Sequence, residues 1–122
     1  MDDRPELIVR AAVFTTEGDF DGIMAAVAEQ ADGSGFALHF LRGRDLDDRA
    51  ESYVLTTNEG RTAHGCVQSW SRGPRHLDLD VSTEAALELC VPERFRLLLR
   101  ADRISNERLL EGIVTILGPP RL

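Results

Sequence analysis

No stretch of the sequence approaches the roughly 18 consecutive apolar residues that a membrane-spanning helix requires. The N-terminus, Met1-Asp2-Asp3-Arg4-Pro5, is acidic and stopped by proline, whereas a secretory signal starts basic and runs into an apolar stretch. Both absences point to the cytoplasm. Only two cysteines occur, Cys66 and Cys90, too few for a disulfide framework and not at zinc spacing, so free thiols are expected. Lysine is missing altogether: all 14 basic side chains are arginine, which hints at a GC-rich genome and carries no mechanism.

What is present suffices for a core. The chain has 122 residues, 43% of them apolar, and shows neither an internal repeat nor a linker. A single domain is expected over residues 1–122, with its core within about 7–118. The net charge of −7 is uneven. Residues 1–60 hold 13 acids against 5 arginines, and residues 61–122 hold 8 acids against 9 arginines. Such a field repels nucleic acid and anionic membrane and speeds encounter with a basic partner. The plainer reading is a solvated acidic surface.

Along the chain, Leu7 to Phe14 reads as a strand and Asp21 to Gln30 as a short helix. Phe36–Leu41 alternates as a strand, and charged Arg42–Ala50 reads as a loop. Ser52–Thr57 and Arg61–Ser71 form a hairpin about Asn58-Glu59-Gly60. In His76–Val81 the leucines and valine point one way and His76, Asp78 and Asp80 the other. Ser82 caps a helix through Cys90, whose apolar side is Ala85, Ala86, Leu87 and Leu89. Phe95–Ala101 is the last strand. Ser105 caps a final helix with the stripe Leu109, Leu110, Ile113, Val114 and Leu117. The fold class is therefore α+β: a mainly antiparallel sheet of about six strands with two to three helices packed on one face.

The candidate sites for chemistry are thin. His64 and Cys66 project from the same face of a predicted strand, but at roughly 6.5 Å apart they suit packing better than a thiolate–imidazole pair. His39, His64 and His76 lie on three predicted strands and do not converge on a metal. Asp45, Asp47, Asp48 and Glu51 miss the calcium-loop pattern, with Ala50 where its glycine belongs and Thr56 where its last glutamate belongs. Gly33-Ser34-Gly35 leads into a strand instead of opening a helix, so it is no phosphate cradle. Arg94, Arg96 and Arg100 share one face of the last strand, where Asp78 and Asp80 are placed to pair with them across the sheet. No catalytic residue, metal ligand or cofactor is expected.

Two acidic segments remain: Glu17, Asp19 and Asp21, then Asp45, Asp47, Asp48 and Glu51. Both flank the second strand, and together they form the partner-binding candidate, an acidic face for a basic protein. Tyr53 and Trp70, the only tyrosine and tryptophan, suit a core better than an interface anchor. The competing reading is a small-molecule-binding or regulatory α+β domain without catalytic activity.

From Phe36 onward the segment order carries a resemblance. A strand ends in Leu41-Arg42 and is followed by Asp45-Leu46-Asp47-Asp48. Next come Glu51-Ser52-Tyr53-Val54-Leu55, the Asn-Glu-Gly turn and His64-Gly65-Cys66-Val67-Gln68-Ser69-Trp70. Thr83-Glu84-Ala85-Ala86-Leu87 and Phe95-Arg96-Leu97-Leu98-Leu99 precede the terminal helix. Over about residues 7–118 this resembles the immunity protein 10 family, small bacterial proteins encoded beside polymorphic toxins and predicted to neutralise them. The resemblance implies an α+β inhibitor whose partner is a toxin domain, a basic nuclease among the options, and it brings no catalytic residues. A homodimer stays open.

Overall fold

The computed structural model describes residues 5–15, 22–32, 34–43 and 53–118. Leu7 to Phe14, expected as one strand, is two: β1 (Glu6–Val9) and β2 (Ala11–Thr15). The division falls at Arg10, whose backbone N–H donates to Ala28 in one sheet, while Val9 just before it accepts from Arg100 in the other. Each half alternates normally. Only the choice of partner strand changes.

The expected helix from Asp21 to Gln30 is instead a strand, β3 (Gly22–Ala28), with Asp21 itself outside the described residues. Ile23-Met24-Ala25-Ala26-Val27-Ala28 has a helical composition, but β3 pairs with β2 over Met24–Ala28 on one side and with β4 (Ala37–Gly43) along its full length on the other. Ladders on both sides outweigh a preference worth a few tenths of a kcal/mol per residue.

The remaining elements are β5 (Tyr53–Thr57), β6 (Thr62–His64), β7 (Val67–Arg72), β8 (His76–Val81), α1 (Thr83–Leu89), β9 (Arg94–Leu99) and α2 (Arg103–Leu117). The run Arg61–Ser71 is thus also divided, at Gly65, which adopts φ 53 and donates to the Tyr53 carbonyl at 3.0 Å. A left-handed turn there suits glycine, and it passes the chain from one sheet to the next.

Among the described residues, nine strands and two helices build two sheets, where about six strands in one sheet were expected. The first has the order β1-β9-β8-β7 and the second β2-β3-β4-β5-β6. Every pairing is antiparallel except β1 with β9. The α+β class and the antiparallel character stand.

Both helices are capped. Ser82 Oγ accepts from Ala85 N–H at 3.2 Å to start α1, which ends on Cys90 at φ 58. Leu87, expected on the apolar side of α1, is 75% exposed, and Ala85, Ala86 and Leu89 do the packing. The cap of α2 is Asp102, not Ser105. Its carboxylate accepts from Ser105 N–H at 2.9 Å and Ser105 Oγ at 2.8 Å, so the helix starts two residues before the expected cap. These bonds hold the Asp102 carboxyl below the usual carboxylate range.

α2 lies on β2, β3 and β4 of the five-stranded sheet, while α1 packs beside β6. Beneath α2 the row Phe14, Ala25, Phe40, Leu55 and Ala63 runs across all five strands. Leu109, Leu110, Ile113 and Ile116 fill the helix side, with Ile116 taking the place expected for half-exposed Val114. Gly112 lets the helix close onto Phe14: a Cβ there would stand 2.2 Å from the ring. The C-terminal end of α2 is tied at both flanks, by Arg42 Nη1 to the Ile116 carbonyl at 2.9 Å and by Trp70 Nε1 to the Gly118 carbonyl at 3.1 Å.

Candidate functional site

The proposed partner-binding residues Glu17, Asp19, Asp21, Asp45, Asp47, Asp48 and Glu51 all lie outside the described residues. The strands that flank them are described. Thr15 pairs with Met24, Gly22 with Gly43, and Arg42 with Tyr53. The chain therefore leaves and re-enters the five-stranded sheet at one end for both connections, 16–21 and 44–52.

His64 and Cys66 do not share a strand face. His64 closes β6 and is exposed, the chain turns at Gly65, and Cys66 enters the core at 6% exposure. Burial pushes the Cys66 thiol up to about 11, and the Glu88 charge acts in the same direction. A thiol held neutral is not a nucleophile. Because the raised value belongs to the folded state, the neutral thiol's contribution to stability is whole below the reference value of 9.0 and is lost as pH rises through about 11. Iodoacetamide at about pH 8 should accordingly modify exposed Cys90 in the native protein and reach Cys66 only after unfolding. Mass mapping of a rapidly alkylated Cys66 in folded protein would contradict this.

Tyr53 and Trp70 are both core residues, at 4% and 5% exposure. The Tyr53 hydroxyl accepts from Val67 N–H at 2.9 Å, bridging β5 to the start of β7.

The outer face of the four-stranded sheet holds the arginines. Arg96 Nε donates to Asp78 Oδ1 at 2.6 Å and Nη2 to Oδ2 at 3.0 Å, with Glu6 at 3.8 Å on its other side. Arg94 stands 3.5 Å from Asp80, which also accepts from Ser69 Oγ at 3.0 Å. Arg94 and Arg96 are thus committed to carboxylates, and Arg100 donates at 3.3 Å to the Leu99 carbonyl. This is an ion-paired, solvated sheet face.

An open cleft of about 590 Å³ lies where the β7–β8 turn meets α2, with Arg72, Arg75, Arg103 and Asn106 in its wall. It is a poor pocket for chemistry. Arg103 is bonded to Glu107 at 3.1 Å, and Asn106 Nδ2 is spent on the Ala101 carbonyl at 3.0 Å, fastening α2 to the end of β9. Asn106 Oδ1 is sealed from solvent, out of reach of anything in the cleft. Among the described residues no three metal-ligating side chains gather, and no helix is long and apolar enough to cross a membrane.

The outer face of the five-stranded sheet differs from all of these. Strand register sets Val13, Ala26, His39, Thr56 and Thr62 in one row, and Thr15, Met24, Leu41, Val54 and His64 in the next. Ala11, Ala28 and Ala37 begin a third. None of these 13 positions carries Asp, Glu, Lys or Arg. This face escapes a reading of segments one at a time, though β3 carries a signal: Gly-Ile-Met-Ala-Ala-Val-Ala has no polar side at all.

Compared with known proteins, residues 8–107 match the family model described as Immunity protein 10. The matched stretch runs from β1 into α2 and takes in both sheets. No curated protein and no solved structure matches the chain.

Proposed function

This chain belongs to the immunity protein 10 family, and from that premise we propose that it neutralises a cognate polymorphic toxin by direct protein–protein binding. It acts in the cytoplasm, as one domain over residues 1–122, and by occlusion instead of catalysis. The observation that carries this reading is the family match over residues 8–107. An immunity protein implies a toxin as its partner. The charge distribution says what kind of toxin surface would meet it fastest: a basic one, as on a nuclease domain, drawn by the excess acid of residues 1–60.

The docking residues in this reading are Glu17, Asp19, Asp21, Asp45, Asp47, Asp48 and Glu51. Support comes from the strand ends, which bring both acidic connections to one end of one sheet. Seven carboxylates there would steer a cationic surface toward that end.

Combined replacement of Asp45, Asp47, Asp48 and Glu51 by alanine should slow association with the toxin domain encoded beside the gene. The drop should be about tenfold or more at low salt and shrink as salt is added. Lysine at the same positions should slow it further and lower protection of cells that express the toxin. An unchanged association rate would remove these residues from the docking surface and leave the function itself untouched.

A further inference from the structure

We infer that the open cleft between the β7–β8 turn and the start of α2 takes an acidic segment of the toxin, whose carboxylates pair with Arg72 and Arg75. The inference rests on the proposed function and adds a contact of opposite sign to the acidic docking residues.

The cleft gathers cations that the fold does not use. Every other described arginine except Arg108 directs a guanidinium nitrogen at a carboxylate or a backbone carbonyl. Arg72 and Arg75 are exposed, have no such partner among the described residues, and line the same cleft of about 590 Å³. Arg103 lines it from the α2 side, and Glu107, the one acid there, is already bonded to Arg103. Three arginines against one glutamate make the cleft positive, in a chain whose net charge is −7. Its two sides are held without these side chains. Gly73 N–H donates to the His76 carbonyl at 3.1 Å and Leu99 N–H to the Arg75 carbonyl at 2.9 Å, which fixes the turn. Asp102 and Asn106 fix the start of α2. A site already in shape costs little ordering when it is filled.

Chemistry selects the occupant. A guanidinium meets a carboxylate through two parallel bonds, so unspent arginines call for Asp or Glu side chains. Pro74, Ala101 and Leu110 give the cleft an apolar part, which suits a segment that carries carbon as well as charge. The cleft is open, and a small molecule usually needs a pocket that buries about 70–90% of it, whereas a length of chain does not. A nucleic acid fits poorly on two counts. The net charge repels a polyanion, and no aromatic ring lines the cleft for a base to stack on. The acidic segment is assigned to the toxin because that is the partner an immunity protein implies.

Arg72→Ala and Arg75→Ala together should weaken binding to the toxin domain encoded beside the gene by at least about tenfold, mainly through faster dissociation. The sign is diagnostic. Losing two positive charges makes the chain more acidic, and long-range steering alone would then speed its encounter with a basic toxin. Arg108→Ala, which removes an arginine outside the cleft, should leave affinity within about twofold. A second measurement reads the partner's chemistry. The chain has no lysine, so Arg75→Lys supplies its one side-chain amine. Carbodiimide should couple that amine to an aspartate or glutamate of the bound toxin, at a position found by mass mapping. If the double variant binds as wild type does and no such coupling forms, the assignment of the cleft is overturned while the proposed function survives. If wild type does not bind the toxin domain at all, the proposed function falls and this inference with it. With toxin binding unchanged, the double variant could still dissociate a wild-type dimer in sedimentation, or abolish a rise in melting temperature produced by inorganic phosphate. Either result would give the cleft to a second copy or to a free anion and overturn the inference.

Discussion

Trp70→Ala should destabilise the fold by about 3–5 kcal/mol, the usual cost of emptying a large aromatic site in a core. For a domain of this size that lowers the melting temperature by roughly 10–20 °C. Trp70 is the one buried residue of β7, an edge strand. It faces inward beside Leu79, its cross-strand partner on β8. Its indole N–H also holds the Gly118 carbonyl at the end of α2, so the side chain joins a sheet edge to a helix terminus. Trp70→Phe separates the two roles. It keeps most of the apolar contact and loses the hydrogen bond, for an added cost of about 1 kcal/mol beyond the smaller ring. Urea melts followed by circular dichroism serve here, because tryptophan fluorescence disappears with the substitution. A Trp70→Ala protein within about 1 kcal/mol of wild type would mean the site collapses freely and that α2 is held elsewhere.

The second large effect is expected at Asp78 and Arg96. Asp78 is 8% exposed and receives two guanidinium bonds. Asp78→Ala removes both short bonds from a partly buried guanidinium and leaves the Glu6 carboxylate at 3.8 Å, a weaker contact. Fully buried pairs cost about 3–5 kcal/mol when broken. The Arg96 side chain is 27% exposed, so water recovers part of that, and about 2–3 kcal/mol is expected instead. Arg96→Ala should cost a similar amount or somewhat less, because it removes two guanidinium bonds from a carboxylate that is 8% exposed while His76 Nε2 stays at 4.0 Å from it. The double variant should cost about 1–3 kcal/mol less than the two singles together, since it leaves neither charge behind. Additive losses in the cycle would show that the two side chains act separately.

Much of the fold was legible segment by segment. The last strand alternates in sequence as it does in burial, and His76–Val81 does so except at Asp78, an outward residue that is nonetheless buried. Ser82 is the cap that its position before Thr83-Glu84 suggests, and Gly60 takes φ 82 in the turn between β5 and β6. Asp102 and Ser105 are both residue types that cap, and the cap falls on the one with an extended backbone, Asp102 at φ −65 and ψ 161. The pairing of Asp78 and Asp80 with Arg96 and Arg94 was also readable, because outward residues of neighbouring strands meet.

The candidate site was legible only as chemistry without place. The acidic segments stand out as charge, and strand pairing brings both connections to one end of one sheet. The uncharged outer face emerges as a whole from register, since its 13 residues come from five strands of which β3 alone shows it in sequence.

By itself, then, the sequence determined the α+β class, most of the strands, both helices, the core faces of β8 and β9 and the uneven charge. All of these follow from contacts between near neighbours, in which periodicity and capping decide. Tertiary structure alone decided that Ile23–Ala28 extends instead of coiling, that Arg10 and Gly65 pass the chain from one sheet to another, and that there are two sheets. In each case the local pattern suits either outcome. The deciding free energy comes from ladders and packing against residues distant in sequence.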